Sequence, residues 1–96
     1  MSAELTPQQA TQDVTAALAA RGAEVGGQVR VESRRVSMPR TFGEAILTTV
    51  TPAEPYVDLP LVAAIVKCLP GVLTSARDNG KVFAYRQVTP PGAAGQ

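Results

Sequence analysis

Three basic side chains surround one tight reversal: Arg77, Lys81 and Arg86 flank Asn79-Gly80 in the stretch SARDNGKVFAYRQV. Guanidinium and ammonium groups set this way can hold phosphate oxygens or partner carboxylates. Arg30, Arg34, Arg35 and Arg40 crowd into residues 25–40 against Glu32. Arg30, Arg34 and Arg35 join the hairpin cations as a candidate nucleic-acid-binding set if folding brings the two segments to one face. Such a set contacts phosphates without reading sequence, and its grip weakens steeply with salt. The competing reading is a pair of solvated strand faces. Nine Lys and Arg against eight Asp and Glu leave a net charge of +1, little surplus for a nucleic-acid binder.

Residue types suited to catalysis are sparse. The chain has no histidine and one cysteine, which removes imidazole-based triads, zinc-type ligand spacing and an intrachain disulfide. Cys68 falls on the apolar arc of a helical pattern, where a buried inert thiol is expected rather than a nucleophile. Glu44, Glu54 and Asp58 lie in a loop-rich stretch without paired spacing and read as solvated charges. Gly26-Gly27 lacks the strand–loop–helix setting and lysine of a phosphate loop. The expectation is no enzyme, no cofactor, no metal and no evident small-molecule substrate. What remains is binding, to another protein, to a second copy of the chain, or to nucleic acid.

The elements that would position these residues are well punctuated. Thr6-Pro7-Gln8-Gln9 fits a capping box with Pro at the first helical position, and Leu5 and Ala10 fit a hydrophobic staple. Ala10, Val14, Ala17 and Leu18 then recur at helical spacing, predicting a helix over 7–21 stopped by Gly22, with Gln12, Asp13 and Thr15 outside. QVRVESRRVSM alternates as a half-buried strand. Its apolar parity slips between Val31 and Val36, which predicts a bulge or bend near Arg34. Thr41-Phe42-Gly43-Glu44 fits a second capping box and Phe42, Ala45, Ile46 and Val50 fit helical spacing, but Ile46, Thr48, Thr49, Val50 and Thr51 are β-branched and favour a strand over about 44–51. Asp58 can cap a core helix, LPLVAAIVKCL, which Pro70-Gly71 ends. Pro60, Ala63, Ala64 and Lys67 form a smooth strip on it, suited to close approach by the first helix or by a partner protein.

Asn79-Gly80 predicts a type I′ hairpin, because both central residues need positive φ. The register pairs Asp78 with Lys81, Arg77 with Val82, Ala76 with Phe83, Thr74 with Tyr85 and Leu73 with Arg86. Phe83 and Tyr85 are then expected on the core side with Val72, Thr74 and Ala76. Arg77 and Arg86 are expected outward with Leu73, Ser75, Val82 and Ala84. On that reading the aromatic rings are structural and unavailable for base stacking.

The chain reads as a single globular α+β domain over 1–88, with a Pro/Gly-rich disordered tail over 89–96. About four strands in two hairpins form a small antiparallel sheet packed with two helices, in the order αββαββ. A chain of 96 residues buries only roughly 60–65% of its unfolded surface, so the core must be efficient. The alternative order is αβααββ, with 41–50 helical. The core helix and basic-tipped hairpin then resemble the recognition helix and wing of winged-helix domains. That resemblance implies DNA binding through Arg77, Lys81 and Arg86 with Arg30, Arg34 and Arg35. Against it, the would-be recognition helix offers a groove only Lys67. The leading expectation is a small non-enzymatic protein-interaction, regulatory or assembly module using Pro60, Ala63, Ala64 and Lys67, with a homodimer as one form. No leader or membrane-length apolar run is apparent, so a cytoplasmic setting is expected.

Overall fold

Thr6 opens the first helix: its Oγ1 accepts the Gln9 N–H at 3.1 Å, and Pro7 occupies the first turn. The Gln9 side chain does not complete the box; it donates to Asp13 at 2.8 Å. In the computed structural model, which describes residues 4–38 and 43–88, helix α1 spans Pro7–Ala19. It ends two residues short of the expected 21. Arg21 and Gly22 instead lead into a single further turn, α2 (Gly22–Val25), stopped by Gly26 at φ +89°. The Arg21 N–H donates to the Leu18 carbonyl at 3.1 Å just past α1, and its side chain pairs with Glu24 at 2.7 Å.

Strand β1 (Val29–Met38) pairs antiparallel with β2 (Gly43–Pro52) in an unbroken register from Val29↔Pro52 to Met38↔Gly43. The expected bulge near Arg34 is absent. The strand keeps its alternation and changes the chemistry of one face instead. Val29 and Val31 pack on the core, Ser33 bonds to Thr48, and Arg35 meets Glu44 and Glu4. The β-branched run of 44–51 is strand, so the winged-helix order does not occur.

Asp58 caps α3 (Leu59–Lys67), accepting the Leu61 N–H at 3.1 Å. Strands β3 (Val72–Asp78) and β4 (Lys81–Gln87) follow. Asn79 at φ +52° and Gly80 at φ +72° make the reversal that the dipeptide predicts. The sheet order is β1-β2-β4-β3, every neighbour antiparallel. β2, α3 and β3 thus form a split β-α-β unit with β4 inserted between its strands. The architecture is the expected α+β order αββαββ, with α2 as a one-turn addition.

Both long helices lie on one face of the sheet, α1 over β1 and β2, α3 over β3 and β4. The main core joins Val14, Leu18, Val25, Val50, Val57, Val62, Ile65, Val66, Val82 and Ala84, all buried. A smaller cluster of Ala10, Ile46 and Val88 closes the other end, where Leu5 packs as the staple predicts. Thr11 donates to Ser33 at 2.8 Å, and Ser33 bonds to Thr48 at 3.0 Å. That hydroxyl chain ties α1 to two strands and satisfies Thr48, which is 1% exposed. The segment 89–96, expected as a disordered tail, lies outside the described residues. Among those described, no helix is long and apolar enough to cross a membrane.

Candidate functional site

The covered face of β4 is the opposite of the expected one. Val82, Ala84 and Arg86 point to the helices and are buried, while Phe83 and Tyr85 are half-buried on the uncovered face. The turn and most of the hairpin register are as read from the sequence: Asp78↔Lys81, Arg77↔Val82, Ala76↔Phe83 and Thr74↔Tyr85. One shift follows, because Leu73 is an extra residue and Val72, not Leu73, stands opposite Arg86. The facing is decided by β2. Val50↔Val82, Thr48↔Ala84 and Ile46↔Arg86 set β4 beside fully buried positions. Above them lie Ala10, Val14, Ala17, Val62, Ala63 and Val66, small residues that let helix and sheet approach closely. Val and Ala fit that gap; Phe and Tyr overfill it.

Arg86 therefore leaves the phosphate-binding set. It is 5% exposed, its Nε donates to the Pro70 carbonyl at 3.1 Å, and its Nη1 donates to Asp13 at 2.9 Å. Asp13, expected on the outer side of α1, is half-buried over the sheet as this partner. Its burial raises the carboxyl pKa, but hydrogen bonds from Arg86 and Gln9, with the charge of Arg86, outweigh this and hold it below the ordinary value. Arg35 leaves the set as well: it sits on the helix side of β1 in ion pairs with Glu44 and Glu4.

The remaining cations divide between two places. Side-chain alternation puts Arg30, Glu32, Arg34 and Val36 of β1 on the uncovered face. The β2 residues there are Ala45 and Leu47, both buried, and the half-buried Thr49 and Thr51, and those of β4 are Lys81, Phe83, Tyr85 and Gln87. Register aligns them in rows across the sheet. Arg34, Leu47, Tyr85 and Thr74 form one row; Glu32, Thr49, Phe83 and Ala76 form the next. Between β1 and β4 the face dips into a depression of about 400 Å³ whose lining includes Glu32 as well as Arg34, Leu47, Thr49, Lys81 and Phe83. Among the described residues, Arg30, Arg34 and Lys81 make no ion pair, whereas the paired Arg21, Arg35 and Arg86 all lie elsewhere. The sequence pattern hid Phe83 and Tyr85 because it placed the rings on the core side.

Arg77 belongs to a second place. It and Lys67 flank a shallow groove of about 220 Å³ between α3 and the edge strand β3, lined also by Ala63, Ala64, Ser75 and Ala76. The smooth strip of α3 is not covered by α1: Pro60, Ala64 and Lys67 are exposed and Ala63 is half-buried. Cys68 is exposed at the end of α3 rather than buried, since the helix stops at Lys67 and turns the thiol out of the apolar arc.

Compared with protein-family models, curated proteins and solved structures, the chain shows no match. The functional reading therefore rests on the geometry. Among the described residues no three His, Cys, Asp or Glu side chains cluster as a cation site. The one strongly exposed large apolar side chain described is Tyr56, in the β2–α3 loop. Its hydroxyl donates to Glu54 at 2.7 Å, and Glu54 also accepts the Gln28 N–H at 2.8 Å. These bonds, that from Tyr56 first, lower the Glu54 pKa. This network closes a loop onto β1 and is accounted for structurally.

Proposed function

We propose that the protein is a small non-enzymatic binding module working through the uncovered face of its sheet. One observation carries the reading: that face sets the half-buried Phe83 and Tyr85 beside Arg30, Arg34 and Lys81, cations without an ion pair among the described residues. A sheet with helices on one side presents a broad, gently twisted surface, which suits a flat or extended ligand. Half-buried rings are held in place by their strand neighbours, so a ligand meets them with little ordering cost. The test is backbone NMR with a small panel: a thymidine oligonucleotide, an acidic peptide, and dilution of the protein itself. The reading expects shifts centred on residues 30, 34, 47, 81, 83 and 85. Shifts confined to the helical face, or none with any member of the panel, overturn it.

A second reading is favoured by the groove beside β3. Lys67 and Arg77, with Ala63, Ala64, Ser75 and Ala76, border a strand whose outer edge has no neighbour among the described strands. An extended acidic segment of a partner protein adding to that edge would meet both backbone hydrogen-bonding groups and cations. Lys67→Glu with Arg77→Glu would then abolish binding of the acidic peptide and leave open-face variants without effect on it.

A further inference from the structure

The ligand chemistry of the open face can be named more narrowly. We infer that it binds single-stranded nucleic acid, with bases stacked on Phe83 and Tyr85 and the phosphate backbone led along Arg30, Arg34 and Lys81. The inference rests on the open-face reading above and specifies its ligand.

Phe83 and Tyr85 are two residues apart on an inner strand, so both rings project from the same face. Their Cα atoms are about 6.6 Å apart along an extended strand. Thr49 and Leu47 stand directly beside them on β2, and Ala76 and Thr74 on β3. The neighbours on both sides are thus uncharged, and apart from Leu47 they are small. This leaves room for a planar group to lie against a ring, and every base has such a plane. Arg34 lies in the row of Tyr85, on the far side of Leu47. Lys81 lies two residues before Phe83 on β4 and lines the same depression as Phe83 and Arg34. The cations therefore border the aromatic pair on the β1 side and at the hairpin tip. Glu32 and Asp78 share this face, so the surplus is one positive charge and the electrostatic contribution is modest. An ordinary duplex fits poorly: its bases are stacked inside, and a gently twisted sheet face reaches only its phosphates. Splayed single strands can use rings and cations together.

The experiment is fluorescence anisotropy on the full chain with labelled oligothymidylate, oligouridylate and a duplex of equal length. With three phosphates contacted, the log–log salt slope for a single strand should be about −2. Affinity should therefore fall roughly 20-fold between about 50 and about 200 mM salt. Arg34→Glu with Lys81→Glu should cost at least about tenfold and flatten the slope. Tyr85→Leu and Phe83→Leu keep an apolar side chain but remove the flat ring, and each should cost roughly 5- to 100-fold. Arg21→Gln, at the far end of α1, should change nothing, and circular dichroism with thermal melting confirms that each variant is folded. The DNA and RNA arms show whether the site distinguishes the sugar. Duplex binding as tight as single-strand binding overturns the inference in favour of simple polyanion attraction. No single-strand binding at low salt also overturns it, while NMR shifts on this face with the acidic peptide or on dilution would leave the open-face reading standing. Single-strand binding that survives both the charge reversals and the ring replacements overturns the inference, and the acidic-peptide and dilution arms of the NMR panel then decide the open-face reading separately.

Discussion

At the scale of single residues, Asp13–Arg86 is the ion pair among the described residues whose guanidinium is buried. Arg86 is almost fully buried, so its charge depends on Asp13 and on the Pro70 carbonyl. Removing Asp13 leaves that charge short of its counter-ion; a fully buried pair broken this way loses about 3–5 kcal/mol, and the half-exposed carboxylate reduces this to about 1–3 kcal/mol. Asp13→Asn should show that loss in urea unfolding at neutral pH. Because the folded-state pKa of Asp13 lies below its ordinary value, the pair stabilises above the unfolded pKa of about 3.9. The contribution is lost as pH falls through the folded value. The gap between wild type and Asp13→Asn should therefore close in acid, and a gap constant down to the acid limb would contradict the role given to the pair. Gly27 is a second sensitive position. A Cβ there would stand 2.5 Å from Glu54 Oε2 and 2.9 Å from Val57 Cγ2. Glu54 cannot swing away without releasing Gln28 and Tyr56. Gly27→Ala should cost about 1–3 kcal/mol by overpacking, read as a lower midpoint in thermal melting.

At the scale of elements, the β3–β4 turn and the caps follow local rules. Gly80 holds φ +72°, and a Cβ added there would meet open space, so substitution causes no clash and the cost is purely backbone. Gly80→Ala should destabilise by roughly 1–2 kcal/mol while the sheet amides keep their hydrogen-exchange order. A larger loss would mean that the turn does more than reverse the chain. These features were legible because their partners lie within a few residues: Thr6 with Gln9, Asp58 with Leu61, Asn79 with Gly80. The bulges were not. The parity slip around Arg34 suggested one in β1 that does not exist, since Ser33 and Arg35 find polar partners on the covered face. The shift at Leu73 left no mark in the residue pattern, because Val72 and Leu73 suit either face.

At the scale of the whole molecule, the decisive fact is which side of β4 the helices cover. Ala84 is fully buried beneath them, so Ala84→Leu should cost about 1–3 kcal/mol through overpacking. Phe83→Leu, on the open face, should cost less than about 1.5 kcal/mol. Denaturant midpoints of the two variants check the assignment directly; the reverse ranking would return the aromatic rings to the core. The same fact divides the six candidate cations. Arg30, Arg34 and Lys81 share the open face, Arg77 borders the β3 groove, and Arg35 and Arg86 are committed to carboxylates.

The sequence by itself indicated most of the elements in order, leaving 41–51 open between helix and strand and giving no sign of α2, and it determined the helix starts, the hairpin turn and nearly all of its register. Each of these is governed by contacts a few residues long. It also supplied the candidate cations as a set. Only the tertiary structure decided how that set divides and where Phe83 and Tyr85 point. That choice depends on β4 pairing with β2, more than thirty residues away, and on the narrow gap beneath Ala- and Val-rich helices. Both faces of β4 carry apolar residues, so alternation alone names two faces without ranking them. The gap ranks them by size, admitting Val82 and Ala84, and the half-buried carboxylate of Asp13 partners Arg86 where an arginine would otherwise be excluded.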